Sequence, residues 1–231
     1  MKKSLIRIFS LVFAAAVILF AAGCQGEAGQ KTSIGKFGKV TNGLYLYNDL
    51  AIQDSYVDEF DTKKYVVAEY RALLDEELAE YNKSHAFHPG NEEVRGEHEP
   101  AYTAPITVIR CEAAGGNLNQ QLLYATAEDF LGYQAEELEG RKGSTLVTGT
   151  LAKVDTKILT ASYVTPNGKD LDVQQLCVKE NAGEYRFIIC DFDALLYGDG
   201  DLIGYTNNAT YNAQNSCVTV KGGQTVIAIF K

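Results

Sequence analysis

The sequence predicts an α+β fold that is mainly β, in which an N-terminal amphipathic helix packs on a small antiparallel β-sheet or barrel. Apolar residues recur at helical spacing in one stretch near residue 70. Short strand-like segments separated by polar turns fill most of the chain after residue 105. The 231 residues include 46% hydrophobic residues, enough for one substantial core.

The helix is predicted over residues 62–83. Asp61 and Thr62 offer an N-cap, and acidic side chains occupy most of the opposite face. The apolar side chains that recur every three or four residues are Val66, Val67, Tyr70, Leu73, Leu74, Leu78 and Tyr81. We expect this stripe to pack against the core.

Strands are predicted from alternating or continuous apolar segments. The first covers Gly43–Asn48, and the later ones cover 106–112, 119–126, 145–154, 158–165, 171–179, 185–191, 201–206 and 216–230. A helix is expected at 127–139. Asn167-Gly168 indicates a hairpin turn, and residues 221–224 indicate a turn between the last two strands.

One segment resembles the start of OB-fold domains in exported bacterial proteins. Its residues are Ala127-Glu128-Asp129-Phe130-Leu131, Leu138-Glu139-Gly140 and Leu146-Val147-Thr148-Gly149-Thr150-Leu151. The resemblance covers about 25 residues and implies that the barrel alternative would be OB-like. The later part departs from the family pattern, because Gly200-Asp201-Leu202-Ile203-Gly204 only approximates the expected fourth strand. A fold of this kind would not by itself give the function.

The first 23 residues have the zones of a secretory signal peptide. A basic start with Lys2, Lys3 and Arg7 precedes a 13-residue apolar stretch, Ile8–Phe20, and a small-residue cleavage site. The stretch is too short for a comfortable membrane span.

Ala21-Ala22-Gly23-Cys24 resembles the lipobox of bacterial lipoproteins, although Ala21 replaces the preferred Leu, Val or Ile. The resemblance implies that Cys24 carries diacylglycerol and becomes the first residue. We therefore expect a lipid-anchored protein on the extracytoplasmic side of the cell membrane. Its predicted organisation is a signal peptide at 1–23, a lipidated cysteine and flexible tether at 24–40, and one globular domain at 41–231. That domain has a helix-containing part, 41–104, and a β-rich part, 105–231.

The charge balance excludes one class of partner. Removal of residues 1–23 takes three basic residues and no acids, which changes the net charge from −9 to −12. Nucleic acids are bound largely through Lys and Arg, so we expect no nucleic-acid partner. The expected partners are the membrane, through the lipid anchor, and an unidentified protein or small molecule.

Four cysteines remain beyond Cys24: Cys111, Cys177, Cys190 and Cys217. A hairpin turn near 180–183 would leave Cys177 and Cys190 offset by about 13 Å, beyond disulfide reach. Each cysteine lies in a strand-like or apolar context, which favours buried free thiols over disulfides.

The three histidines lie within 14 residues, among several glutamates. His85, His88, His98 and Glu97 are candidate ligands for zinc or another divalent metal, since imidazole and carboxylate suit such ions. The alternative is a solvated acidic loop. A second acidic group, Asp191, Asp193, Asp199 and Asp201, is better explained by Asp-Gly turns than by calcium binding.

The chain lacks the nucleophile elbow, phosphate loop, dinucleotide fingerprint and HExxH motif of common enzyme classes. We therefore expect a binding or interaction role rather than catalysis. One alternative is a metal-dependent or carboxylate-based hydrolase that acts on cell-envelope material. Another is a metal-binding lipoprotein that uses the loop at 85–99.

Overall fold

The computed structural model describes residues 42–88, 102–137, 143–154 and 156–231. Over these residues the protein is a mainly β α+β fold, which confirms the predicted class. The predicted small antiparallel sheet or OB-like barrel is not what forms. Instead, the described strands make two open sheets, one mixed with seven strands and one antiparallel with six.

The strands are β1 (Gly43–Leu46), β2 (Ile52–Glu59), β3 (Ile106–Ala114), β4 (Asn117–Tyr124), β5 (Leu146–Thr150), β6 (Tyr163–Val164), β7 (Asp170–Leu171), β8 (Arg186–Cys190), β9 (Ala194–Gly198), β10 (Leu202–Thr206), β11 (Thr210–Asn212), β12 (Cys217–Val220) and β13 (Val226–Phe230). The α-helices are α1 (Val67–Ser84), α2 (Ala127–Glu137), α3 (Thr156–Thr160) and α4 (Val173–Cys177). A 3-10 helix covers Ala182–Glu184.

The seven-stranded sheet has the order β11-β12-β9-β1-β2-β4-β3, and the six-stranded sheet has the order β5-β8-β13-β10-β6-β7. Strands β1 and β9 are parallel, which places the N-terminal strand among strands from the C-terminal half. From β8 to β13 the chain crosses between the two sheets four times. The turn predicted at 221–224 is present, but it joins β12 and β13 in different sheets.

Several local predictions are confirmed with shifted bounds, and three are wrong in whole or in part. The predicted strand 158–165 begins within α3 and contains only the two-residue strand β6. Residues 171–179 contain α4 rather than a strand, because the Asp172 carboxylate accepts a hydrogen bond from the Gln174 amide and caps the helix. No hairpin lies near 180–183, where the 3-10 helix stands instead. The predicted turn at Asn167-Gly168 does join a hairpin, that of β6 and β7, with Gly168 at φ 73°.

Helix α1 begins at Val67, five residues later than predicted. The Asp61 carboxylate accepts a hydrogen bond from the Lys63 amide, and the Asp61 carbonyl accepts from the Tyr65 amide. Asp61 therefore stabilises a separate turn before α1 instead of capping it.

Two hydrophobic cores lie on the two faces of the six-stranded sheet. One fills the space between the sheets and beneath α1 and α2, and includes Leu46, Phe130 and Ile188. The other lies under α3 and α4 and includes Ile158 and Ile229. Every residue of β8 and β13 is buried, because these central strands contact both cores.

Candidate binding cleft

A cleft of about 1160 Å³ opens on the face of the seven-stranded sheet that also carries α1 and α2. Its floor is formed by β1, β2, β4 and β12, and its walls by α1, α2 and the segment that leads into β9. We call this site the acidic-aromatic cleft, because it is lined by six carboxylates and seven aromatic rings. The carboxylates are those of Asp54, Asp58, Glu59, Asp61, Glu77 and Asp193, and the rings are those of Tyr56, Phe60, Tyr65, Tyr70, Phe130, Tyr133 and Phe192.

The floor of the cleft follows from the register of two neighbouring strands. Asp54 lies opposite Leu122, Tyr56 opposite Gln120, and Asp58 opposite Leu118. Because alternate residues of a strand share a face, all six side chains stand on the cleft side of the sheet. The floor thus combines apolar residues from β4 with charged and aromatic residues from β2.

Helix α1 forms one wall and is held by a two-way hydrogen bond at its C-terminal end. The Asn82 amide nitrogen donates to the Ile106 carbonyl at 2.9 Å, and the Ile106 amide donates to the Asn82 oxygen, also at 2.9 Å. This pair fixes α1 against the start of β3. Tyr70, Leu74 and Glu77 of α1 line the cleft.

Helix α2 closes the inner end. Thr126 and Asp129 cap its start reciprocally: the Thr126 hydroxyl donates to the Asp129 carboxylate at 2.7 Å and accepts from the Asp129 amide at 3.0 Å. The Tyr133 hydroxyl donates to Glu77 Oε1 at 2.8 Å, which connects α2 to α1. The rings of Phe130 and Phe192 stack with centroids 5.9 Å apart and form an apolar end wall.

The outer end depends on the hairpin turn between β3 and β4. Gly115 and Gly116 have φ values of 62° and 83°, a conformation that favours glycine and suits a tight two-residue turn. The Gly116 carbonyl accepts a hydrogen bond from the Phe60 amide at 2.8 Å. Phe60 is buried, and its ring contacts those of Tyr65 and Tyr70, with centroids 6.0 and 6.4 Å away.

The electrostatics of the cleft are strongly negative, since Lys221 is the single basic residue of its lining against six carboxylates. Burial, the hydrogen bond to Asp58 and the charges of Asp58 and Asp54 raise the pKa of Tyr56 to about 12. The Tyr56 hydroxyl therefore stays protonated near neutral pH and donates to the Asp58 carboxylate at 3.0 Å.

The structure describes only two of the four residues of the predicted metal site, His85 and His88. His98 and Glu97 lie outside the described residues. His85 lies just after the end of α1 in an extended conformation, so His85 and His88 are not on a continued helix. The His85 ring stacks on Tyr81, with centroids 3.9 Å apart. Within the described ranges, no group of three His, Cys, Asp or Glu side chains is placed to hold a metal ion.

The four predicted thiols, Cys111, Cys177, Cys190 and Cys217, are free. Cys190 and Cys217 are buried as expected, whereas the other two are half-buried. Burial raises the pKa of the Cys111, Cys177 and Cys217 thiols, which disfavours the reactive thiolate. Cys24, the predicted site of lipidation, lies outside the described residues.

The second acidic group stabilises loops. The Asp191 carboxylate accepts a hydrogen bond from the Thr145 amide at 2.7 Å, Asp193 from the Gly222 amide at 3.0 Å, and Asp199 from the Asn48 amide at 3.1 Å. These contacts join loops that lie 29 to 151 residues apart in the chain, so they do not test the predicted Asp-Gly turns.

Sequence reasoning missed the acidic-aromatic cleft because it did not assign β2. The available signal was the alternation of Asp54, Tyr56 and Asp58 with Gln53 and Ser55. That pattern has the period of a strand but no apolar face, so a search for hydrophobic alternation passes over it.

No protein-family model, curated protein or solved structure matches the chain. Among the residues that the structure describes, no helix has the length and apolar character needed to cross a membrane. Functional assignment therefore depends on the cleft and on the sequence features of the N-terminus.

Proposed function

We propose that this protein is a lipid-anchored, extracytoplasmic binding protein and that the acidic-aromatic cleft is its ligand site. The observation that carries the proposal is the cleft itself, whose volume of about 1160 Å³ is slightly above the range of roughly 300–1,000 Å³ that is usual for small-molecule sites. The leucines of its floor and its aromatic side chains supply contact area, while its carboxylates and other polar groups supply orientation.

The anchor is supported by the order of basic, apolar and small residues before Cys24. A diacylglycerol thioether would supply two acyl chains, which is enough for stable attachment to a bilayer. The tether at 25–40 would hold the folded domain away from the membrane at a mean distance of roughly 20–24 Å.

The anchor is tested by expressing the full chain in a bacterium that is fed an alkyne-labelled fatty acid. The native chain should carry the label and sediment with membranes, whereas Cys24→Ser should lose both properties. Cys111→Ser is the matched control and should keep both. Labelling of the Cys24→Ser chain would contradict lipidation at this residue.

The ligand site is tested on the chain from residue 25 onward, which retains every described residue. Thermal-shift screening against amines, peptides, sugars and sugar acids should yield ligands whose shift is reduced in Tyr56→Ala. Val178→Ala, which changes an apolar side chain that is 84% exposed and outside the lining, is the control. Ligands that stabilise the native chain and Tyr56→Ala equally would contradict the assignment of the site. Chromatography of each ligand after incubation separates binding from hydrolysis, and a converted ligand would favour the hydrolase alternative.

A further inference from the structure

The floor of the acidic-aromatic cleft contains an arrangement that favours one chemical class of ligand. Asp54, Tyr56 and Asp58 alternate along β2 and stand on one face, so neighbouring side chains are roughly 7 Å apart. The Tyr56 side chain is 46% exposed, an unusual degree for a large aromatic residue on a sheet floor. Its ring therefore lies between two carboxylates and is accessible from the cleft.

An aromatic face between carboxylates is suited to organic cations. A protonated amine or guanidinium gains from the ring quadrupole and from the negative charges at the same time. The apolar part of such a molecule would contact Leu118 and Leu122, which share the floor. An anionic ligand would meet the six lining carboxylates and would be repelled.

The distribution of the acids indicates more than one positive group on the ligand. Asp54 and Asp58 lie on β2, Glu77 on the α1 wall, and Asp193 on the opposite rim. Across the described ranges, the carboxylates do not converge into a group of three that would hold one metal ion. Separated charges of this kind match a molecule whose cations are spaced along a body.

Several of the lining carboxylates accept hydrogen bonds within the protein and still contribute negative charge to the cleft. Asp61 accepts hydrogen bonds within its own turn and pairs with Lys64 at 3.2 Å, which lowers its pKa. The Asp193 carboxylate accepts a hydrogen bond from the Gly222 amide.

Glu77 accepts from the Tyr133 hydroxyl and its other oxygen is buried, so it adds negative potential and makes no direct contact with a ligand. Asp54 and Asp58 carry the recognition, because they stand on the floor on either side of the exposed ring of Tyr56.

Resting on the function proposed above, we propose that the ligand of the acidic-aromatic cleft is an organic polycation with an apolar body. Its ammonium or guanidinium groups pair with Asp54 and Asp58, and one of them lies against the ring of Tyr56. This proposal names the ligand class, whereas the proposed function names only the site.

The test is isothermal titration of the chain from residue 25 onward with the peptide amide Lys-Phe-Lys and with spermine at low ionic strength. The charge control is the same peptide with both lysine side chains and the amino terminus acetylated, which removes the charges and keeps the phenylalanine. We expect one-to-one binding of the charged probes, weakening as salt is added, and at least tenfold weaker binding of the acetylated peptide.

Matched variants locate the binding. Asp54→Asn and Asp58→Asn should each weaken the charged peptide roughly 3–10-fold, and Tyr56→Phe should bind better than Tyr56→Ala because it keeps the ring. Asp170→Asn removes an exposed carboxylate from the six-stranded sheet and should leave the affinity unchanged. It controls for general attraction of cations to a chain that has a net charge of −12 without its first 24 residues.

The outcomes separate the two proposals. If the acetylated peptide binds as tightly as the charged one and Tyr56→Ala weakens both, the site stands and the polycation inference is overturned. If the charged probes bind and no cleft variant weakens them, both proposals fail. If neither charged probe binds at millimolar concentration, the inference is overturned as well.

Discussion

The two sheets of this protein differ in what surrounds their central strands. In the six-stranded sheet, β8 and β13 are buried on both faces, between one core shared with the other sheet and a second core under α3 and α4. In the seven-stranded sheet, β2 has carboxylates and an exposed tyrosine on its cleft face and the buried polar residues Gln53 and Ser55 on the other. The comparison teaches that both sheets contribute to the shared core, whereas only the seven-stranded sheet carries the candidate site.

The buried polar face of β2 is made possible by specific hydrogen bonds. Gln53 accepts from the Tyr47 hydroxyl and donates to Ser55 Oγ at 3.3 Å, although its side chain is fully buried. A buried amide without such partners would lower the free energy of unfolding by roughly 1–3 kcal/mol. The polar face therefore depends on partners within β2 and in the loop before it, which the six-stranded sheet, with its apolar central strands, does not require.

The largest expected effect is on the six-stranded sheet. Ile229→Ala removes a fully buried side chain from the core under α3 and α4 and should lower the free energy of unfolding by about 2–5 kcal/mol. Tyr56→Ala in the seven-stranded sheet should cost no more than about 1 kcal/mol, because its side chain is half exposed. Urea unfolding followed by circular dichroism measures both. Equal losses would break the comparison between the sheets.

An intermediate difference in stability is expected between two glycine variants, one of them where the chain passes from β9 to β10. Gly200 and Gly223 both have φ 81°, but a Cβ on Gly200 would lie 2.0 Å from the Lys231 carbonyl oxygen, while one on Gly223 would meet nothing within 4 Å. Gly223→Ala should lower the free energy of unfolding by about 1–2 kcal/mol because of its left-handed backbone conformation alone. Gly200→Ala should cost a further 1–3 kcal/mol, roughly, for the steric contact. Denaturant midpoints that coincide for the two variants would show that this passage is not tightly packed.

The smallest effect is a pH dependence on the α2 side of the seven-stranded sheet. Burial raises the pKa of Asp129 above its ordinary value, against the opposing hydrogen bonds from Thr126 and the charges of His85 and His88. A raised folded-state pKa contributes stability below the unfolded value, and that contribution is lost as pH rises through the folded pKa. The free energy of unfolding of Asp129→Asn, relative to that of the native chain, should therefore increase as the pH rises from about 4.

Unfolding free energies between pH 3.5 and 7 check this prediction. Glu128→Gln is the control, because it removes an exposed negative charge from the same first turn of α2. Both variants therefore lose a favourable interaction with the helix dipole. An identical pH profile for Asp129→Asn and Glu128→Gln would contradict a raised pKa at Asp129.

Sequence reasoning succeeded where one physical effect dominated. Continuous apolar residues predicted β8 and β13, the three- and four-residue spacing of Leu74, Leu78 and Tyr81 predicted α1, and Asn167-Gly168 predicted a hairpin. It failed where local and long-range effects compete. The segment after Asp172 became a helix through a side-chain cap, and β2 was stabilised by partners distant in the chain.

By itself, the sequence determined the mainly β α+β class, the position of the amphipathic helix and the free state of the four thiols beyond Cys24. The class and the helix follow from apolar spacing and turn chemistry, and the free thiols follow from their apolar surroundings in the sequence, all of which act over a few residues. Only the tertiary structure decided that the strands form two open sheets, that β1 pairs in parallel with β9, and that carboxylates from β2, α1 and the segment before β9 surround one cleft. Those features depend on contacts between residues far apart in the chain, and no local periodicity encodes which strands become neighbours.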